Sequence, residues 1–354
     1  MDTHSKPIAE RIDWLFAHAA RHSALFCSPD ATLARNRYLA RHPTAIAVMK
    51  CMDGRINLPV ATNTPLGIIQ PYRNLGGIFD LGWPHLGEVL AHYVQRRIAE
   101  GRRVLFLVTY HFSRGNRERG CAGFHYDTAA AFAHTQHLLG QFETVFGRGH
   151  QAVYPLICGF ETDDDALILH GADGATLELA SLADATTLPD RLTALYPDMP
   201  PQMRDDLLPL LKGNLARIAE VRQTERRLDI EHREWMICLG RGFDFLHMPN
   251  LALIVGPYSP QLADPVSTAA SIIESNMRAG RIPDDGFLLL ASVPYEELGS
   301  DRARAELKAR FMAGFAAEVI RSRHPALAEK MTVHRAVLDW RSRRLETLPE
   351  ETSS

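Results

Sequence analysis

The sequence predicts an α/β protein in which a mostly parallel sheet with flanking helices is built twice along one chain. Short apolar runs alternate with amphipathic helical segments, which is typical of βαβ units with parallel strands. Polar residues capable of chemistry stand where several apolar runs stop, and the order of elements recurs in the second half. With 354 residues, of which 46% are hydrophobic, the chain is long enough for about two domains of ordinary size.

The first repeat begins with an apolar strand and closes near residue 180. Its strand at 45–49 stops at the polar turn 51–55, and a later strand at 104–108 ends at His111. Apolar runs of this length, bounded by polar or glycine-containing turns, indicate buried strands. The other elements predicted here are a strand near 67–72, helices at 85–100 and 124–146, and an edge strand with a hairpin at 153–160 and 166–170.

The second half repeats this order of elements, which we interpret as an internal duplication. The repeated elements are strands at 235–241 and 251–258, a helix at 264–279 and a strand at 287–293. The polar residues at the strand ends are not repeated with these elements. Three polar residues at strand ends of the first repeat, Cys51, Asp53 and His111, have as counterparts at best Cys238, Gly240 and Pro294.

Changes in composition divide the chain into five predicted segments. The stretch 183–204 is rich in Pro, Thr and Asp, as a linker would be, and 205–226 has a helical pattern. We predict an N-terminal helical arm at 1–43, a first domain at 44–182, a linker and helix at 183–226, a degenerate second domain at 227–335 and a C-terminal tail at 336–354.

Composition excludes several classes of function. Lys and Arg total 39 against 42 Asp and Glu, a net charge of −3, so no basic field favours a nucleic-acid partner. No apolar run approaches the roughly 18 to 20 residues of a membrane span, and the polar first residues predict no export signal. Five cysteines are too few for a disulfide framework. We therefore expect a cytoplasmic protein with reduced thiols.

Cys51, His111 and Cys121 form a candidate metal site. They lie at or just after the carboxyl ends of apolar strands, the edge where ligands bind in open α/β sheets. Two thiolates and an imidazole suit zinc, and three protein ligands leave a fourth position for water, as in catalytic sites. Asp53 and Arg55 follow closely, and a guanidinium can hold a carboxylate beside the metal by two hydrogen bonds.

Other residues compete for these roles. His125 lies four residues after Cys121 and could bind the metal instead of His111, or act as a proton shuttle, or be merely exposed. Cys158 lies in an apolar strand and is expected in the core, and Cys27 in the arm is expected to be structural.

Two short motifs resemble those of β-class carbonic anhydrases. C-M-D-G-R at 51–55 is similar to their C-x-D-x-R motif, and R-N-L-G-G at 73–77 is similar to their R-N-x-(A/G)-(G/N) segment. The family's usual H-x-x-C motif is replaced by His111 and Cys121 with nine residues between them. That spacing and the degenerate second half resemble the divergent carboxysomal shell carbonic anhydrases over about residues 44 to 330. Shell enzymes have a long helical amino-terminal domain, whereas about forty residues precede the first strand here, so residence in a carboxysome stays open.

The resemblance implies one zinc ion per chain, bound by Cys51, His111 and Cys121, with Asp53 and Arg55 as the catalytic dyad. The implied reaction is reversible hydration of carbon dioxide to bicarbonate by a zinc-bound hydroxide, with Asp53 either orienting that hydroxide or closing the site as a fourth ligand. In this setting the loop arginines 114, 117 and 119 are either solvated or form a lip that attracts bicarbonate.

The resemblance also leaves open alternative functions and partners. The fold is shared with carbon disulfide and carbonyl sulfide hydrolases. A non-catalytic zinc-binding component of carboxysome assembly, or a soluble part of an inorganic-carbon uptake complex, would keep the same fold. We expect the two halves to pair as a pseudo-dimer within one chain, and a homo-oligomer remains open.

Overall fold

The chain forms two compact units, each containing one sheet. The structure is a computed structural model that describes residues 2–147, 149, 152–224, 230–243, 245–246 and 248–349. The first-sheet unit comprises Leu33–Glu231 and Tyr258–Pro260. The second-sheet unit comprises Met1–Thr32, His232–Pro257 and Gln261–Ser354.

The first-sheet unit contains a six-stranded sheet in the order β2-β1-β3-β4-β5-β6. Strands β1 to β4 are parallel, and β5 and β6 continue the sheet antiparallel. Its strands are β1 (Ala45–Cys51), β2 (Ile69–Asn74), β3 (Val104–Phe112), β4 (Val153–Glu161), β5 (Ala166–His170) and β6 (Thr176–Glu178). Its helices are α3 (Leu58–Ala61), α4 (Pro84–Ala99), α5 (Thr128–Phe146), α6 (Leu188–Leu195) and α7 (Pro201–Val221).

The second-sheet unit contains a five-stranded sheet in the order β8-β7-β9-β10-β11. Its strands are β7 (Met236–Gly240), β8 (Ala252–Val255), β9 (Phe287–Tyr295), β10 (Met331–Asp339) and β11 (Arg344–Thr347). Its helices are α1 (Ile8–Cys27), α8 (Ala263–Arg278), α9 (Ser300–Arg323) and α10 (Pro325–Ala328). The remaining helix, α2 (Pro29–Arg41), contains the boundary between the units.

The two sheets share one topology and one register. When Ile46 is aligned with Met236, the pairings among β1 to β5 coincide with those among β7 to β11. Helices α8 and α9 then match α4 and α5, and β6 is an additional strand of the first sheet. The equivalent pairs are Ile46–Ile69 with Met236–Ala252, Ile46–Leu105 with Met236–Leu288, Leu105–Tyr154 with Leu288–Thr332, and Glu161–Ala166 with Asp339–Arg344. This agreement supports the predicted internal duplication, because two unrelated α/β units have no reason to share register.

The core of the first-sheet unit explains why its central strands β1, β3 and β4 are mostly apolar. All seven residues of β1 are buried, and alternate residues Ala45, Ala47 and Met49 join a cluster with apolar residues of α4 and α5. Helix α5 is capped at its N-terminus by Asp127, whose carboxylate accepts hydrogen bonds from two backbone N–H groups of the first turn. Parallel strands covered on both faces need this continuous apolar pattern.

The segment 183–226, predicted as a linker and a helix, contains two helices, α6 and α7. Both helices carry proline in the first turn, where its missing N–H is no loss, so these prolines start helices. The fully buried Asn214 of α7 accepts a hydrogen bond from Leu167 N–H and donates to the carbonyl oxygens of Ala61 and Asp165. Helix α7 is therefore packed into the first-sheet unit.

Other predicted segment boundaries also differ from the elements observed. Residues 336–339 and 344–347 of the predicted C-terminal tail lie in β10 and β11 of the second sheet. Helix α1, half of the predicted arm, belongs to the second-sheet unit and buries Leu15, Ala19 and Phe26 at helical spacing. The predicted boundary at 226/227 lies outside the described residues. Among the helices that the structure describes, none combines the length and apolarity needed to cross a membrane.

Candidate metal centre

The structure brings Cys51, His111 and Cys121 together. Cys51 is the last residue of β1 and His111 is the penultimate residue of its neighbour β3, so both lie at the carboxyl edge of the sheet. Cys121 follows the loop 113–120 and returns to the same edge. All three side chains are buried, and one ligand atom from each lies within 4.8 Å of the other two.

These residues fit a zinc ion. Neither ring nitrogen of His111 has a hydrogen-bond partner among the described residues, although the side chain is buried, and an orphaned buried nitrogen is costly unless something binds it. Tetrahedral zinc with Zn–S of about 2.3 Å sets its ligand atoms about 3.5 to 3.8 Å apart, within the spacing of this cluster. A soft S₂N donor set is also the one that zinc prefers.

The thiols of Cys51 and Cys121 affect each other's pKa. A hydrogen bond from Cys121 lowers the pKa of Cys51 well below its usual range, whereas the same contact, together with burial, raises the pKa of Cys121 well above it. Cys51 therefore forms a thiolate readily, and the negative charge on Cys51 opposes deprotonation of Cys121. A bound cation would remove that opposition, because metal ligation deprotonates a thiol.

The turn that carries Cys51 is shaped by the R-N-L-G-G segment. Met52 N–H donates to Asn74 O at 2.8 Å, which continues the β1–β2 ladder past Cys51. Gly77 has a positive φ of 69°, and a Cβ there would lie 3.3 Å from the backbone nitrogen of Cys51. A Cβ on Gly123 would lie 2.6 Å from Gly76 Cα, so the turn after Cys121 packs on the same segment. These contacts explain glycine at these positions.

Asp53 and Arg55 form a buried two-point pair beside the cluster. Asp53 Oδ1 accepts from Arg55 Nε at 3.1 Å and from its backbone N–H at 2.8 Å, while Oδ2 accepts from Nη2 at 2.6 Å. The same Oδ2 lies 4.0 Å from Nε2 of His111. The guanidinium also donates to the carbonyl oxygens of Arg119 and Ile230, at 2.9 and 3.0 Å. Arg55 thus holds the carboxylate in one orientation at the cluster.

The competing residues lie elsewhere. His125 is exposed with a left-handed φ of 48° and does not belong to the Cys51, His111 and Cys121 group. Cys158 is fully buried in β4, and burial raises its pKa to about 12, as expected for a core thiol. Cys27 is exposed at the end of α1, with its sulfur 3.4 Å from Ser342 O.

Two of the three loop arginines are paired with carboxylates. Arg114 pairs with Glu178 at 2.8 Å, Arg119 pairs with Glu231 at 2.6 Å, and Arg117 Nε donates to Tyr126 O. Sequence reasoning missed the role of this loop as a support for Arg55. The sequence could have indicated contact between the loop after β3 and the turn after β4. These two strands are parallel neighbours, so the residues that follow them meet at one edge of the sheet.

The equivalent edge of the second sheet has lost the ligand chemistry. The shared register places Arg241 at the position of Cys51 and Pro294 at the position of His111. A guanidinium repels a cation and proline has no side-chain donor atom, so these positions cannot ligate a metal. The prediction of Pro294 agrees with the register, whereas the counterparts chosen for Cys51 and Asp53 were wrong. Those two residues, Cys238 and Gly240, match Val48 and Lys50.

The α/β fold and its Cys-His-Cys cluster beside an Asp–Arg pair have the features of a β-class carbonic anhydrase domain. Residues 38–202 match the family model of the Carboxysome Shell Carbonic Anhydrase, catalytic domain. This segment is less than half of the 354 residues, but it contains β1 to β6 and all five candidate site residues. The predicted resemblance to the carboxysomal branch is confirmed over these residues. Curated proteins give no match to the chain.

Proposed function

We propose that this protein catalyses the zinc-dependent, reversible hydration of carbon dioxide to bicarbonate in its first-sheet unit. The observation that carries the proposal is the buried cluster of Cys51, His111 and Cys121, with Asp53 Oδ2 4.0 Å from Nε2 of His111. Within the described residues neither ring nitrogen of His111 makes a hydrogen bond. The match to a carbonic anhydrase catalytic domain over the same residues supports it. A structural zinc site would need neither Asp53 nor Arg55.

Cys51, His111 and Cys121 would hold the metal, which when bound supplies a Lewis acid that makes water nucleophilic near neutral pH. Three protein ligands leave room for that water. Two thiolates neutralise the charge of the ion more than imidazoles do, so we expect optimal hydration on the alkaline side of neutrality.

Asp53 orients the nucleophile in this proposal. Its Oδ2 faces the cluster and can accept a hydrogen bond from a water held there, which aims the oxygen lone pair at the carbon of carbon dioxide. Arg55 keeps Asp53 ionised and immobile, because its guanidinium binds both carboxylate oxygens. Water and carbon dioxide give bicarbonate and one proton, which passes to solvent. Should Asp53 instead bind the ion directly, Arg55 would have to release it first.

Metal analysis with stopped-flow hydration on the same samples tests the proposal. We expect one zinc per chain and a hydration rate that disappears on chelation and returns with added zinc. Two zinc ions per chain, or none in protein purified without chelator, would contradict it. Sulfide release from carbon disulfide, without hydration of carbon dioxide, would instead identify the alternative hydrolase. Residence in a carboxysome is proposed on the family match alone, and co-purification with shell particles tests it.

A further inference from the structure

We propose that the acidic turn after β4, with Asp163 at its centre, positions the Arg55–Asp53 pair through the loop 113–120. The loop follows β3 and, together with Phe112, makes up the nine residues between His111 and Cys121, where the usual family motif has two. This inference rests on the proposed function and adds a positioning residue, Asp163, which lies outside both the ligand set and the dyad.

The buried Glu161 side chain supports the turn from below. Its carboxylate accepts hydrogen bonds from the backbone N–H groups of Arg114 and Asp163 at 3.1 Å and of Asp164 at 2.9 Å. One buried side chain thereby joins the start of the loop to the turn. Because buried polar groups are costly when unpaired, the three N–H groups depend on this one carboxylate.

Asp163 then fixes the body of the loop. Both of its carboxylate oxygens lie 2.9 Å from the Ser113 hydroxyl, and Oδ2 accepts from Gly115 N–H at 2.7 Å. A Cβ on Gly115 would lie 3.1 Å from Oδ2, so the backbone approaches the carboxylate closely. The guanidinium of Arg119, at the far end of the loop, lies 4.0 Å from Oδ1.

Arg119 connects the loop to the dyad. Its carbonyl oxygen accepts from Arg55 Nη2, the same nitrogen that donates to Asp53 Oδ2. Its side chain pairs with Glu231, next to Ile230, whose carbonyl accepts from Arg55 Nη1. The loop therefore supplies one of the two carbonyl oxygens that orient the Arg55 guanidinium. If the loop moves, that acceptor moves with it.

The expected consequence is a loss of turnover without a loss of metal. Misplacing a catalytic group by about 1 Å can cost about a hundredfold in rate. We therefore expect Asp163→Ala to lower kcat by about ten- to a hundredfold. KM should change little, because the interaction lost is one that acts in the transition state. Zinc content should remain at wild-type level, since the three ligands are unchanged.

Asp164→Ala is the matched control. Asp164 lies in the same turn, but its side chain pairs with Arg222 at the surface. Asp163→Asn is the conservative variant, because it keeps the shape while losing one acceptor and the negative charge. Its effect should fall between those of Asp163→Ala and the control. If Asp163→Ala fails to fold, the same measurements on Asp163→Asn test whether Asp163 positions the Arg55–Asp53 pair.

Limited trypsin digestion reports how firmly the loop 113–120 is held, and it does so independently of catalytic activity. The loop contains Arg114, Arg117 and Arg119, three cleavage sites that should resist trypsin while the loop is anchored. We expect cleavage there, identified by peptide mass, in Asp163→Ala but not in wild type or Asp164→Ala. Cleavage is measured on metal-loaded and metal-free protein, with thermal unfolding recorded for each variant.

The outcomes separate the two proposals. Loosening of the loop together with loss of kcat at full zinc content supports the positioning role. A loosened loop with wild-type kcat, an unchanged loop, or an equal loss of kcat in Asp164→Ala overturns it and leaves the proposed function standing. A wild-type protein that binds zinc without hydrating carbon dioxide overturns the proposed function first, and the positioning role with it.

Discussion

The two sheets follow one plan, because β1 to β5 of the first match β7 to β11 of the second in the same register, yet the carboxyl edges of the two sheets carry different chemistry. The first ends in Cys51 and His111, and the second has Arg241 and Pro294 at the same register positions. The comparison shows that the fold supplies the positions while a few side chains supply the site. It also predicts that substitutions at equivalent positions of the two sheets will have very different effects.

Loss of a thiolate ligand should have the largest effect. We expect Cys51→Ser and Cys121→Ser to lose zinc and carbon dioxide hydration together, because a serine hydroxyl is a poor ligand for a soft site. Elemental analysis and stopped-flow hydration measure both. Cys158→Ser is the control, since this buried thiol lies in β4 within the core. Equal zinc loss in all three variants would show that a general loss of structure, and not the ligand set, explains the result.

Removal of Asp53 should have the next largest effect. We expect Asp53→Ala to keep zinc while hydration falls by about 10² to 10³, the loss typical of a preorganised transition-state partner. The reason is that Asp53 is held by Arg55 beside the cluster without belonging to the Cys-His-Cys set. Zinc content and rate are measured on the same sample. Loss of zinc together with activity would instead make Asp53 a ligand.

Arg55→Lys tests the grip on Asp53 more finely. An ammonium cannot reproduce the planar two-point contact with a carboxylate while also reaching the carbonyl oxygens of Arg119 and Ile230. We expect zinc to be retained and hydration to fall by about ten- to a hundredfold, close to the effect of Arg55→Ala. Full activity in the lysine variant would show that the charge alone is sufficient.

The comparison also shows how much the sequence could predict. Apolar runs placed most strands of both sheets, and the rule that parallel strands end at one edge predicted that Cys51 and His111 meet. The counterpart of Cys51 was missed because it depends on strand register, and Cys238 attracted attention only by residue type. The prolines at 189 and 201 suggested a linker, whereas they occupy first turns of helices. The anchoring of Ser113 by Asp163 depends on how far β3 and β4 extend, which apolar patterning does not specify.

Arg241 offers the smallest expected effect and the sharpest test of the difference between the sheets. It stands at the register position of Cys51, so a symmetrical role for the two edges would make Arg241→Ala as damaging as Cys51→Ser. We expect Arg241→Ala to keep one zinc per chain and to hydrate carbon dioxide within about twofold of wild type, because Arg241 belongs to the second-sheet unit and to neither the ligand set nor the dyad. The residue is half-buried, and its buried Nε has no hydrogen-bond partner among the described residues, so removal of the side chain breaks no hydrogen bond at Nε. Thermal unfolding provides the control for folding. A large loss of hydration with unchanged stability and zinc would mean that the second edge takes part in the reaction, and the division between an active sheet and a degenerate one would then be wrong.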